Sequence, residues 1–302
     1  MRTLVLRTAL FALLFVPLLV AHAGERKFEK KFTVKSGETL TLTTDVGSVR
    51  VVGGSGSEVS VLAELNGREK DVNSFEITAE QTAGGVEVRG RGSMTRGWFW
   101  NSSDLDIRYT VNVPHEYSVK LNTSGGNIEV GNLKGMVRGE TSGGDIRLNE
   151  IEGKVEMHTS GGNIRVEKVK GDVQMETSGG EIGIASVTGG VDVNTSGGNV
   201  RISDVDGNVK SETSGGNIYV KVTGSNKGIY AETSGGNIEI RIAKNVGANI
   251  DAATSGGDVE CDLPVTMSGK ISESRIKGTV NGGGSVIHAH TSGGDVRIRA
   301  LE

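Results

Sequence analysis

The amino-acid sequence predicts an all-β chain: a parallel β-solenoid (β-helix) with two strands per coil, right-handed, preceded by a β-rich N-terminal cap. Three observations carry that expectation. The phrase Thr-Ser-Gly-Gly, followed by a polar and then a β-branched residue, begins at Thr123 and recurs at Thr141, Thr159, Thr177, Thr195 and Thr213, each time after 18 residues. It returns at Thr233, Thr254 and Thr291 after 20, 21 and 37 residues, and self-similarity at a fixed period is the signature of stacked repeats. Aligning the units sorts their apolar residues into columns. One runs Ile128, Ile146, Ile164, Ile182, Val200, Ile218, Ile238; a second runs Val130, Leu148, Val166, Ile184, Ile202, Val220, Ile240; and Val137, Val155, Val173, Val191 and Val209 form a third. Finally, no stretch after residue 23 places apolar side chains at helical spacing, so helix content should be close to nil.

Within one unit, Ile164, Val166 and Val169 form one half and Val173 and Met175, with Thr177, the other. Each half alternates with period two, as a strand buried on one face does. Gly171 lies in one turn and Ser178-Gly179-Gly180 in the other. A lone coil cannot bury its apolar stripe, but stacked neighbours can. Composition agrees: 47 Gly, 3 Pro and 4% aromatic residues suit short strands, tight corners and a narrow aliphatic core.

In chain order, residues 1–23 read as a secretory signal. Arg2 and Arg7 precede an almost wholly apolar Thr8 to Val20, and Ala21-His22-Ala23 is a small-x-small cleavage site. The apolar run is shorter than the ~20 residues of a membrane-spanning helix, so no transmembrane segment is expected in the mature chain. No Cys follows the site, which argues against a lipid anchor. Removing Arg2 and Arg7 leaves 31 basic against 37 acidic residues, a net charge of −6. That balance argues against nucleic acid and anionic lipid as partners. The single Cys261 excludes an intramolecular disulfide. The expected location is outside the cytoplasm, in the periplasm or at the cell surface.

Residues 24–116 alternate without a fixed period, at Phe32-Val34, Leu40-Leu42, Val49-Val51, Val59-Val61, Val86-Val88 and Ile107-Tyr109-Val111-Val113. Thr44-Asp45-Val46-Gly47-Ser48-Val49 is a worn copy of the phrase, so this part reads as a cap with a degenerate rung; an independent β-sandwich is the alternative. The solenoid proper is expected over 117–302. Cys261 falls in the Val130-type column, as a small buried hydrophobe. The interval up to Gly284 is expected to hold a coil without the phrase, and the last strand, near Val296 to Ile298, to be an exposed edge.

The tandem Thr-Ser-Gly-Gly-Asn/Asp-Ile phrases, the signal peptide and the strand pattern from Leu40 to Leu65 together resemble the putative-adhesin family of bacterial β-strand-repeat proteins, a domain of unknown function. The resemblance covers nearly all of the mature chain. It implies an exported β-solenoid with adhesion as a provisional role, and it brings no catalytic or ligand residues with it.

The residues themselves offer few chemical constellations. Polar residues after the glycines (Asn127, Asp145, Asn163, Glu181, Asn199, Asn217, Asn237, Asp258, Asp295) would stack in a column. A calcium-stabilised β-roll would use Asp there; the Asn-rich column suits a hydrogen-bonded ladder that satisfies corner backbone groups. His288 and His290 lie two apart on an outward face, His290 in the column of His158, with no third metal ligand in view. Glu140, Glu176, Glu212 and Glu232 share that column. A polysaccharide-active β-helix enzyme would need two carboxyls ~5–9.5 Å apart in a walled cleft, for which only the insertions near 66–106 and 262–286 offer walls. No cofactor and no catalytic residue is therefore expected. Trp98, Phe99 and Trp100 are the candidate partner-binding residues. Three adjacent aromatics cannot all face inward from one strand, so they either plug the end of the core or form a patch for a glycan, an envelope surface or a protein. The expected role is a non-catalytic structural or binding module for an unknown envelope protein or glycan, a monomer or weakly self-associating end to end.

Overall fold

The computed structural model describes residues 24–92, 105–267 and 272–301. Two long sheets, of 13 and 14 strands, face each other across a core of Val, Ile and Leu. From Ile128 to Asp206 each coil gives a seven-residue strand to the first sheet and a five-residue strand to the second, as in Ile146–Glu152 and Val155–Thr159. Neighbouring coils pair parallel and in register, Ile146 opposite Ile164 and Val155 opposite Val173. All three apolar columns are buried as expected. The two-strand solenoid is the fold.

The longer strand contains a device that alternation alone does not reveal. Glu150, Lys168 and Ser186 have φ of 59°, 56° and 57°, the left-handed region that costs a side chain energy. Each sits outside the pairing register, between pairs such as Asn149–Glu167 and Ile151–Val169. The extra residue resets the phase, so Leu148 and Ile151 both point inward although three positions apart. It also turns the chain toward the second sheet.

The corner phrase is held by hydrogen bonds. Thr177 Oγ1 donates to the Gly162 carbonyl of the coil below at 3.0 Å and accepts from Gly180 N–H at 3.3 Å. Asn163 Oδ1 accepts from the Glu181 N–H of the next coil at 2.9 Å, and Asn199 Oδ1 accepts from Asn217 N–H at 2.9 Å. The polar column is thus a ladder that satisfies backbone donors. The second glycine of each phrase has a steric reason: a Cβ on Gly162 would lie 1.9 Å from the Gly144 carbonyl oxygen. At the first, Gly161, the nearest atom would be 3.9 Å away.

At both ends, order in space departs from order in the chain. The N-terminal strands are β1 (Glu25–Thr33), β2 (Thr39–Thr44), β3 (Ser48–Gly54) and β4 (Glu58–Asn66), then a short helix α1 (Glu69–Ser74), β5 (Glu76–Thr82), β6 (Gly85–Arg91), β7 (Asp106–Pro114), β8 (Ser118–Thr123) and β9 (Ile128–Lys134). β2 pairs parallel with both β6 and β8, and β3 with both β7 and β9. The β2–β3 coil, carrying the worn phrase, therefore lies between the β6–β7 coil and the β8–β9 coil. Outside it, β4 runs antiparallel to β7, β1 to β4, and β5 to β6. Val72 of α1 and Phe75 are buried at this end. Gly90 leaves room there: a Cβ would lie 2.1 Å from the Tyr109 hydroxyl and 3.1 Å from the Phe75 ring.

The C-terminal end repeats the device. Val286–Thr291 pairs parallel with Ile229–Thr233 on one side and Ala248–Thr254 on the other. Val296–Ala300 lies between Ile238–Ile242 and Val259–Cys261. The last coil is inserted one rung inward of the coil that precedes it in the chain, so its final strand is an interior strand and not the exposed edge expected. Among its described residues, the interval before it holds no phrase-less coil either. Arg275–Val280 runs antiparallel to Ala248–Thr254, and Val265–Met267 antiparallel to Arg275–Val280, closing the sheet. Cys261 aligns with Ile298, in the Val130-type column as expected, and is half-buried. Burial pushes its thiol up, the reverse of what a reactive thiol requires. Among the described residues no helix is long and apolar enough to cross a membrane.

Candidate functional site

The outward face of the second sheet carries two polar columns, fixed by the parallel register. One runs Glu140, His158, Glu176, Asn194, Glu212, Glu232, His290, Ala253. Its neighbour runs Arg138, Glu156, Gln174, Asp192, Lys210, Tyr230, His288, Asp251. In strict chain order Glu232 would sit beside Ala253. The inserted strand puts His288 and His290 there instead, so three potential ligands meet.

His288 Nε2 lies 3.0 Å from Glu232 Oε1. The His288 ring stacks on Tyr230, centroids 4.6 Å apart and planes 6° apart, and its centroid is 3.8 Å from that of His290. Among the described residues one cluster of metal-ligating type is found: a ligand atom from each of Glu232, His288 and His290 lies within 4.8 Å of the others. His290 Nε2 is shut off from solvent, with Asp251 Oδ1 facing it at 3.6 Å as an ion-pair partner. Asp251 is itself held by Arg275 at 2.9 Å.

The charges respond to these neighbours. Burial pushes the Glu232 carboxyl up, but hydrogen bonds from Tyr230 and His288 and the nearby imidazoles outweigh it, holding the carboxyl below its ordinary value. The Glu232 hydrogen bond, and then burial, push the Tyr230 phenol up to about 12. Asp251 is likewise held below its ordinary value: burial opposes this, and Arg275 and His290 prevail. The carboxylates are therefore ionised near neutrality. A groove of about 410 Å³ opens beside the cluster, lined by His290, Glu212, Glu232 and the Thr and Ser residues of four stacked phrases.

The sequence pairs His288 with His290 but supplies no third ligand; the structure supplies Glu232. Only the 37-residue interval before Thr291 signals, in the sequence, that the coils there are rearranged. His158 stands away from the cluster, 3.5 Å from Glu176. His115 Nδ1 donates to the Asn132 carbonyl, 2.9 Å away. Trp98, Phe99 and Trp100 fall outside the described residues, in the stretch between β6 and β7.

Comparison with known proteins adds a family and a fold. The family described as Toastrack DUF4097 matches residues 20–299. No curated protein matches the chain. Among solved structures, a putative adhesin from Parabacteroides distasonis is similar at 14% identity and a TM-score of 0.51, covering 90% of this chain and 97% of the other. A putative adhesin from Parabacteroides merdae aligns at 14% identity and TM-score 0.47, over 90% and 96% of the two chains. A third, from Bacteroides fragilis, aligns at 12% identity and TM-score 0.45, over 90% and 97%.

Proposed function

This chain belongs to the Toastrack DUF4097 family, and from that premise we propose that it is an exported, non-catalytic β-solenoid serving the cell envelope as a rigid binding or structural module. The observation that carries the reading is the pair of long outward sheet faces, whose charges interleave from coil to coil. Arg138 meets Glu156 at 3.0 Å, Lys168 meets Glu150 at 2.8 Å and Lys170 meets Glu152 at 2.6 Å, each across one rung. Such a face offers a partner a fixed lattice of charge and hydrogen-bonding groups while discouraging self-pairing. These carboxylates are occupied by basic neighbours on a flat surface, whereas a glycosidase aims two carboxyls at a bond inside a cleft.

Export is supported by Arg2, Arg7, the apolar Thr8 to Val20 and Ala21-His22-Ala23. The chain divides on this reading into a leader at 1–23, a cap at 24–116 and a solenoid at 117–302, placed in the periplasm or at the cell surface. A glycan or an envelope protein is the partner, and the adhesin name of the Parabacteroides distasonis structure is in line with that role. Trp98, Phe99 and Trp100 are the candidate aromatic contacts for that partner. The two outer edges allow weak end-to-end self-association.

The test is capture of envelope proteins and arrayed glycans by the immobilised mature chain. Saturable capture that Trp98→Ala with Trp100→Ala removes, at unchanged melting temperature, supports both the role and the contact residues. Release of new reducing ends from any polysaccharide incubated with the protein would make it an enzyme and overturn the reading.

A further inference from the structure

We propose that Glu232, His288 and His290 form a binding site for one divalent transition-metal ion, with zinc the ion whose chemistry fits the donors. The proposal does not depend on what the sheet faces bind. Two imidazoles and one carboxylate make a donor set that zinc and its neighbours favour. Calcium and magnesium are held by oxygen ligands and are not served by it.

Three features distinguish the cluster from ordinary surface histidines. All three side chains project from paired strands in fixed register: Glu232 from Ile229–Thr233, the histidines from Val286–Thr291. Their backbones are therefore held without help from an ion. His290 Nε2 is removed from water and faces Asp251 Oδ1 at 3.6 Å, which positions the ring beside that of His288. The surrounding groups also have the form of an outer shell that orients ligands: Tyr230 stacks on His288 and hydrogen-bonds Glu232, while Asp251, fixed by Arg275, stands 3.6 Å from His290.

The fit requires a small contraction. Ligand atoms around tetrahedral zinc lie about 3.3 Å apart. The His288–Glu232 pair is already at 3.0 Å, and side-chain rotation of His290 brings the 4.8 Å set inward. The ion takes the place of the proton between His288 and Glu232. Three protein ligands leave a fourth position open toward the groove beside His290, as in sites that bind a water or an external ligand. The same ion ties the inserted last coil to the coil below it.

Calorimetric titration of Zn²⁺ into the full-length chain, first stripped with chelator, should reveal one saturable site per chain and none for Ca²⁺ or Mg²⁺. His288→Ala combined with His290→Ala should abolish it, and Glu232→Gln should weaken it about tenfold or more. His158→Ala and Cys261→Ser, remote from the cluster, should leave it unchanged. Melting curves of the metal-free variants keep ligand loss apart from unfolding; if the double alanine variant does not fold, His290→Gln with Glu232→Gln takes its place. A folded wild-type chain with no saturable Zn²⁺ binding, or binding that survives removal of these ligands, overturns the proposal.

Discussion

The central coils and the two ends make the same corner bond over very different stretches of chain. In the centre, Thr141 Oγ1 reaches the Gly126 carbonyl across 15 residues. At the N-terminal end Thr123 reaches Gly47 across 76, and at the C-terminal end Thr291 reaches Gly236 across 55. The chemistry is identical, and only the threading differs. A solenoid that simply stopped would leave a one-sided coil at each end, with unpaired backbone on its outer edge. Here the coil nearest each end of the described chain is tucked inward and has neighbours on both sides. Antiparallel strands close the outer rungs of both sheets at the N-terminal end and of the second sheet at the C-terminal end, while the first sheet ends there on Val259–Cys261. The additional loop-closure entropy is small, roughly 1.4 kcal/mol for 76 residues against 15, whereas one buried Val or Ile side chain contributes about 1.5–3 kcal/mol. Two-sided burial of the tucked coil therefore outweighs the long excursion.

That difference can be broken directly. Deleting residues 286–302 removes Ile287, Ala289, Val296 and Ile298 from the core and leaves the coil from Ala248 to Cys261 without its inner partner. The expected loss is on the order of 5–10 kcal/mol, seen as proteolysis beyond Ile242 and a smaller denaturant m-value. Deleting a single central unit, 164–181, keeps the register of every remaining column, and the shortened protein should still melt cooperatively.

Next in size is the corner itself. Gly162→Ala places a Cβ 1.9 Å from the Gly144 carbonyl oxygen, and rungs cannot separate locally without breaking their pairing. A cost of about 3 kcal/mol or more is expected by chemical denaturation. Gly161→Ala, with nothing nearer than 3.9 Å, should stay within about 0.5 kcal/mol. Equal effects at the two glycines would refute the stacking argument.

Alkaline pH should separate the N-terminal end from the centre. Tyr109 is buried against Thr44, its hydroxyl 3.0 Å from Thr44 Oγ1, and burial pushes its phenol up to about 12. The unfolded chain releases that proton near pH 10 and the folded chain does not, so stability falls as pH rises from 10 toward 12. The two-unit difference corresponds to about 2.7 kcal/mol, and Tyr109→Phe should flatten that part of a stability–pH curve. In the central coils from Ile128 to Asp206 the buried positions are aliphatic residues, Met and the corner Thr and Gly, so no comparable loss originates there.

Smaller effects fall on the ladder and the faces. Thr177→Val leaves the Gly162 carbonyl and the Gly180 N–H without their partner, at about 1–3 kcal/mol. Lys168→Ala removes an exposed ion pair with Glu150, which solvent screens, and should leave the melting temperature almost unchanged. A loss as large as that of Thr177→Val would mean that the face charges, rather than the corners, hold neighbouring coils together.

The repeat made most of the central architecture legible. Columns such as Ile146–Ile164–Ile182 follow from an 18-residue period and alternation, because each coil needs only its sequence neighbours to be buried. Cys261 could be placed in the Val130-type column for the same reason: column membership survives even where coil order does not. The left-handed residues Glu150, Lys168 and Ser186 could not be read, since nothing in those side chains announces positive φ; packing of Leu148 and Ile151 forces it. The metal-type cluster was half visible. His288 and His290 lie two apart in the sequence, but Glu232 joins them only because Val286–Thr291 is inserted beside Ile229–Thr233.

The sequence alone thus determined which residues face inward and what sits at each corner, since both are set by local period and by the steric demands of Gly and the hydrogen bonding of Thr and Asn. It did not determine which coil stacks on which at the ends. All the coils present similar columns, so their edges are nearly interchangeable as local partners. The choice among them is made by burying the most apolar surface with the fewest open edges, a property of the whole assembly that no single coil encodes.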